Sequence, residues 1–238
     1  MTKNNSPKSF TSYAQNFEDV MLWRALKHVP AGVYVDVGAQ HPVVDSVSKA
    51  FYEQGWRGIH VEPVPHYAEL LRQDRPDELV LQLALADRAG ILELHVVAGT
   101  GLSTGVKAYA QSLEETHGFA HQTIPTPMLP MSTALESLAG RQVHWLKIDV
   151  EGFEDRVLMG LSRPVPALSF EFTTIGRDVA QSCLDRLAAL GPYGFDVALG
   201  EVQRLTFGRW VSPDEMAAHL AALPHEANSG DVYAVLDP

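Results

Sequence analysis

At 238 residues and 46% hydrophobic side chains, the chain suits one α/β domain and is too apolar for wholesale disorder. Its net charge of −11 disfavours nucleic acid as the main partner, because phosphate binding needs a basic face. The single cysteine, Cys183, has no intrachain disulfide partner and falls in an apolar helical pattern, where it reads as a small core residue.

In chain order, Met1 to Ser12 are polar, and no window approaches the roughly 18 apolar residues of a membrane span. A cytoplasmic protein without a membrane span is expected. Apolar residues at helical spacing predict a helix from Tyr13 to His28, stopped by Pro30 and Gly32. Residues 1–30 then form a helical entry segment, and 31–238 the main domain. Val33 to Val37 is the first strand, Asp45 to Gln54 a helix with Gly55 as C-cap, and Gly58 to Glu62 the second strand. A helix from His66 to Gln73 precedes a third strand, Leu79 to Leu85. Ile91 to Val97 alternates with a period of two and is expected to pair with a neighbour.

Residues 98–131 hold four glycines and three prolines and read as an irregular insertion, a lid or binding loop. Ser132 to Leu138 is a short helix, Trp145 to Val150 the fourth strand and Glu154 to Leu161 a helix. Ala167 to Phe172 is a strand and Asp178 to Leu190 a helix. Phe195 to Leu199 and Val202 to Phe207 read as strands, Ser212-Pro213 opens a helix, and Val232 to Leu236 is the last strand. Strands alternating with helices predict a mainly parallel sheet.

The first strand carries the strongest functional signal. Val33-Tyr34-Val35-Asp36-Val37 runs into Gly38, and the second strand ends in Glu62-Pro63, 26 residues after Asp36. Glycine lets the backbone approach a ligand, and a terminal carboxylate can accept hydrogen bonds from both ribose hydroxyls. The dinucleotide fingerprint G-x-G-x-x-G is absent, since Ala39, Gln40, His41 and Pro42 follow Gly38. A cofactor with ribose and adenine but no phosphates fits better, with S-adenosylmethionine the leading candidate.

Several blocks in order resemble the FkbM family of S-adenosylmethionine-dependent methyltransferases. They are Ser12-Tyr13-Ala14-Gln15-Asn16-Phe17-Glu18-Asp19, Asp36-Val37-Gly38-Ala39, Asp45-Ser46-Val47 and Phe51 to Gly58. Glu62-Pro63, Ala84-Leu85-Ala86-Asp87 and Leu146-Lys147-Ile148-Asp149-Val150-Glu151-Gly152-Phe153-Glu154 continue the likeness. Relatives often carry Asn where this chain has Gln40. The resemblance implies a Rossmann-like class I methyltransferase, a seven-stranded sheet flanked by helices with the last strand antiparallel. It also implies methyl transfer to a hydroxyl, often on a sugar of a glycan or natural product.

Cofactor binding is expected from Asp36, Gly38, Gln40, Glu62, Pro63 and Asp87, with Asp36 near the methionine amine and Asp87 near the adenine. Methyl transfer needs an aligned acceptor and a group to take its proton, and Asp149, Glu151 and His41 are the candidates. Asp149 or Glu151 serving only to cap the following helix is the plainer alternative. Asp149 and Glu171 offer oxygen ligands for Mg²⁺. His117 and His121 lack a third ligand for zinc, and Trp23, Trp56, Trp145 and Trp210 read as core. The expected acceptor is a saccharide hydroxyl in polysaccharide or glycolipid assembly. A polyketide or other secondary metabolite, and a non-catalytic cofactor-binding partner in glycan assembly, are the alternatives.

Overall fold

The structure, a computed structural model, describes residues 9–200 and 202–238. The first eight residues of the expected entry segment lie outside them. The chain begins with α1 (Glu18–Leu26), β1 (Val33–Val37), α2 (Lys49–Glu53), β2 (Arg57–Val61), α3 (Pro65–Asp74) and β3 (Leu79–Leu81). It continues with β4 (Ala84–Ala86), β5 (Gly90–Val96), α4 (Lys107–His117), β6 (Gln122–Pro130) and α5 (Met131–Glu136). β7 (Trp145–Ile148), α6 (Glu154–Met159), β8 (Ala167–Thr173) and α7 (Arg177–Leu190) follow. β9 (Tyr193–Leu199), α8 (Pro213–Ala222) and β10 (Ser229–Leu236) complete it.

Seven strands form one sheet in the order β3-β2-β1-β7-β8-β10-β9. β10 runs antiparallel to both neighbours, and the remaining pairings are parallel. The central strands are buried on both faces, as the unbroken burial of β1 and β7 shows. One face packs Val35, Leu146 and Phe170 against α5, α6, α7 and α8, with Cys183 fully enclosed. The opposite face carries a smaller aromatic cluster in which Phe51 stacks on Trp145 at 5.3 Å and meets Trp56 edge-on at 5.0 Å. Gly58 admits this packing, because a Cβ there would stand 2.3 Å from the Tyr34 carbonyl oxygen.

Several elements differ from expectation for local reasons. α1 starts at Glu18 because the buried Asp19 carboxylate accepts from Ser12 Oγ (2.7 Å) and the Tyr13 amide (2.7 Å), wrapping that segment back over the helix. α2 starts at Lys49, since the preceding turn is held by His41 Nδ1 accepting from the amides of Val43 (3.1 Å) and Val44 (3.0 Å). The expected third strand divides: Leu79–Leu81 joins the main sheet, while Ala84–Ala86 enters a second sheet of order β4-β6-β5.

Residues 98–131 are more regular than their glycines and prolines suggest, for they contain α4 and the nine-residue β6. Pro125 and Pro127 sit two apart in β6, so their donorless nitrogens face one side of the strand. β6 gains its second partner only from Met128 onward. Val202–Phe207 is not a strand; it bends along β9, with Phe207 N donating to Asp196 Oδ1 at 3.0 Å. Ser212 caps α8 as expected, accepting from the Glu215 amide at 3.2 Å. Trp56 and Trp145 are core, whereas Trp210 is exposed. Among the described residues no helix is long and apolar enough to cross a membrane.

Candidate active site

The turn after β1 is fixed by close backbone packing. Gly38 has φ +82°, and a Cβ there would lie 1.8 Å from the Asp149 carbonyl oxygen, so only glycine fits between the ends of β1 and β7. The Gly38 amide donates to the Val61 carbonyl at 2.9 Å, tying the turn to β2. Glu62 completes the cradle. Its Oε2 accepts from the Gln40 amide and its Oε1 from the Val64 amide, both at 2.7 Å. Burial pushes the Glu62 carboxyl up to about 7 despite those two hydrogen bonds.

Two chambers open on either side of this turn. The first is apolar, lined by Val61, Leu85, Leu92, Tyr67 and Phe153, with Glu62 and Pro63 at one end. The second, of about 310 Å³, is lined by carboxylates: Glu18, Asp36, Asp45, Asp149, Glu151, Glu171 and Asp231. Lys147 is the cation among its lining residues. Gly38, Gln40, Gly101 and Asp149 border both chambers.

The acidic cluster forms where β7 and β8 end and the antiparallel β10 begins. Lys147 Nζ donates to Asp149 Oδ2 at 2.6 Å. Burial works against the lysine's charge, but Asp149, Asp36 and Asp231 outweigh it and raise its pKa. Glu151 takes φ +55° in the turn, with Tyr109 Oη donating to its Oε2 at 3.0 Å and Thr104 Oγ1 to its carbonyl at 2.7 Å. Burial and the Asp149 charge raise Glu151 to about 8, a value suited to a group that takes a proton near neutrality. Burial and the charges of Asp149 and Glu151 hold Glu171 well above the carboxylate range, and burial with Glu18 does the same to Asp231. One oxygen each from Asp149, Glu151 and Glu171 lie within 4.8 Å of one another, and Glu171 Oε2 is shielded without a hydrogen-bond partner.

Asp36, Gly38, Gln40, Glu62, Pro63, Asp149, Glu151 and Glu171 thus converge on adjoining chambers. Two expected residues do not line them. His41 spends Nδ1 on the turn before α2, and the exposed Asp87 pairs with Arg156 Nη2 at 3.0 Å. Glu154, the first residue of α6, turns its Oε1 back to accept from the amides of Val150 (3.0 Å) and Gly152 (3.2 Å), bracing the turn that carries Asp149 and Glu151, while the helix N-cap, Phe153, makes no side-chain cap. Sequence reading missed Tyr109 and Thr104, hidden in the segment read as irregular. It also gave no role to Glu18, Lys147 or Asp231. The alternation Lys147-x-Asp149 was the available signal, because both side chains must leave β7 on one face.

The strand order with its single reversed strand, and the chambers at the carboxyl ends of the parallel strands, define a Rossmann-like class I S-adenosylmethionine-dependent methyltransferase. The methyltransferase FkbM domain profile matches residues 36–197, and the chain belongs to that family. No curated protein matches it. Among solved structures it is similar to a putative O-methyltransferase from Klebsiella pneumoniae, with 9% identity, 97% of this chain and 84% of that chain covered, and TM-score 0.48. It is also similar to cofactor-bound Rv0187 from MTB, at 10% identity, 96% and 83% coverage and TM-score 0.47. An O-methyltransferase from Bacillus cereus in complex with SAH gives 10% identity, 96% and 84% coverage and TM-score 0.43.

Proposed function

We propose that this methyltransferase acts on oxygen, methylating a sugar hydroxyl of a glycan or glycolipid in the cytoplasm. The observation that carries this reading is the meeting of an apolar chamber and a carboxylate-lined chamber at Gly38, Gln40, Gly101 and Asp149. Adenosine occupies the first, with its ribose hydroxyls donating to Glu62, while Asp36 and Gln40 serve the methionine end. The acceptor occupies the second, which is large enough for a monosaccharide unit. The entry segment (1–30) walls that chamber through Gln15, Asn16 and Glu18.

When bound, S-adenosylmethionine, held by Glu62, Asp36 and Gln40, would supply an electrophilic methyl group on a sulfonium that leaves as a neutral thioether, and the acceptor hydroxyl would lose its proton to the protein. Glu151 takes the hydroxyl proton as the new bond forms, and Asp149, fixed by Lys147, orients the hydroxyl. The all-oxygen donor set of Asp149, Glu151 and Glu171 also fits a hard dication such as Mg²⁺, which when bound would screen their repulsion and acidify a nearby hydroxyl.

Labelled methyl transfer from S-adenosylmethionine to a panel of glycans and polyketide alcohols tests the reading, with and without chelator. Turnover on saccharides supports it, and preference for the polyketide alcohols replaces the acceptor class. Cofactor binding without turnover anywhere favours a non-catalytic partner in glycan assembly. Full activity in chelator removes the metal.

A further inference from the structure

Behind the cofactor turn lies a second charged cluster that touches neither chamber directly. His60 is completely buried in the centre of β2, directly in register with Asp36 on β1, which is in turn in register with Lys147 on β7. His60 Nε2 lies 2.7 Å from Glu78 Oε2, and its Nδ1 faces Asp36 Oδ2 at 3.8 Å, a charge contact longer than a hydrogen bond. Glu78 is held on three sides: both oxygens accept from Tyr34 Oη (2.7 and 2.8 Å), Oε1 from the Gly58 amide (2.6 Å), and Arg75 Nη1 stands 3.6 Å from Oε2. Arg75 then donates from Nη2 to the Pro42 carbonyl at 2.6 Å, reaching the turn that follows Gly38.

We propose that His60, braced by Glu78 and Arg75, is a positioning residue for the cofactor: its imidazolium fixes Asp36 from behind, while Arg75 fixes the 38–44 turn. This rests on the proposed cofactor roles of Asp36 and Gly38. A buried carboxylate without a cation is costly, and a half-satisfied charged network is worse than an apolar one. Asp36 has His60 on one side and Lys147 on the other. Burial opposes its charge, but these neighbours together with Ser48 keep its pKa below the usual range. Burial likewise opposes the His60 cation, and Asp36 and Glu78 more than compensate, so its pKa is raised. The groups facing the ring are Tyr34 and Asp36 from β1, Glu78 from the turn before β3, and Arg75 from the end of α3. A neutral ring keeps one N–H and can serve only one of its two carboxylates.

The sign follows. His60 is charged below its raised pKa, so its support of Asp36 is complete at low pH and is lost as pH rises through that value. Glu62 ionises in the opposite direction near 7, so the His60 contribution is isolated by comparing wild type with His60→Gln. The probe is S-adenosylhomocysteine, titrated calorimetrically between pH 6 and 9. Wild type should bind roughly tenfold more tightly than His60→Gln at the acid end, as for a lost charge-assisted contact, and the ratio should narrow toward one as pH rises. A merely structural histidine would give a constant ratio. In case the variant does not fold, ¹³C-labelled histidine in the wild-type protein gives a second measurement: saturation with the probe should raise the His60 pKa, by reciprocal linkage. A constant ratio, or a His60 pKa unmoved by saturation, overturns the inference. Failure of wild type to bind the probe at any pH instead overturns the cofactor site itself.

Discussion

In one row across the main sheet, Ile59, Val35, Leu146, Leu168, Ala234 and Phe195 stand in register and pack under helices. The adjacent row, one residue on in the parallel strands and one back in the antiparallel β10, lies on the opposite face and reads His60, Asp36, Lys147, Ser169, Tyr233 and Asp196. Both rows are buried, yet they do different jobs. Apolar area removed from water stabilises in proportion to its size, about 25 cal/mol per Å², and depends little on pH. Buried charges cost desolvation and return it only through well-placed partners, which makes this polar row a weak source of stability beside the aromatic cluster on the same face. Asp36 and Lys147 of that row line the carboxylate-rich second chamber. The first face is packed with apolar side chains, while the second combines an aromatic cluster with the charged row.

Substitutions on each side should separate these roles. The largest stability loss is expected from Phe170→Ala on the apolar face, about 3–5 kcal/mol by denaturant titration, with the pH dependence of stability unchanged. A cost under about 1 kcal/mol would show that this face is not the main source of stability. Asp149→Asn should lower turnover roughly a hundredfold or more while S-adenosylhomocysteine affinity and melting temperature stay near wild type. Unchanged turnover removes Asp149 from the mechanism. Glu62→Ala should weaken cofactor binding about tenfold, as expected when hydrogen bonds to a charged group are lost. An unaltered affinity takes Glu62 out of the ribose site.

The smallest effects are those of pH. In the unfolded chain glutamates titrate near ~4.3, whereas Glu62 and Glu154 sit at about 7 and Glu151 at about 8 in the folded protein. The folded state therefore holds more protons between those limits, and stability should fall as pH rises from about 5 to about 8. Asp36 and Glu78, whose pKa values are lowered, act oppositely: their contribution is lost as pH falls through the acid range. Glu171→Gln should flatten the neutral slope and leave stability equal or higher, because it removes a carboxyl crowded by Asp149 and Glu151. A thermal-melt series steeper than wild type would contradict the assignment of repulsion to that cluster.

Much of the candidate site was legible because its residues lie at strand ends, where local pattern and position coincide. Gly38, Glu62 and Asp149 are each found by asking where a buried strand stops and what side chain stands there. His41 and Asp87 satisfied the same test, but neighbouring groups claimed them: two amides of the next turn for one, Arg156 for the other. Tyr109 and Thr104 were invisible for the opposite reason: they meet Glu151 across more than forty residues, which no local pattern records. The segment that follows them breaks local rules, with prolines inside β6, and pairing with β5 and β4 makes it regular.

What the sequence determined by itself is the alternation of strands and helices, the glycine turn and the carboxylates that end the strands, because periodicity and backbone sterics act within a few residues. The tertiary structure alone decided that Glu154 braces the turn before α6, that His60 faces Asp36, and that Asp149, Glu151 and Glu171 share one chamber. Those outcomes depend on register between strands distant in the chain, and on which charges burial forces together.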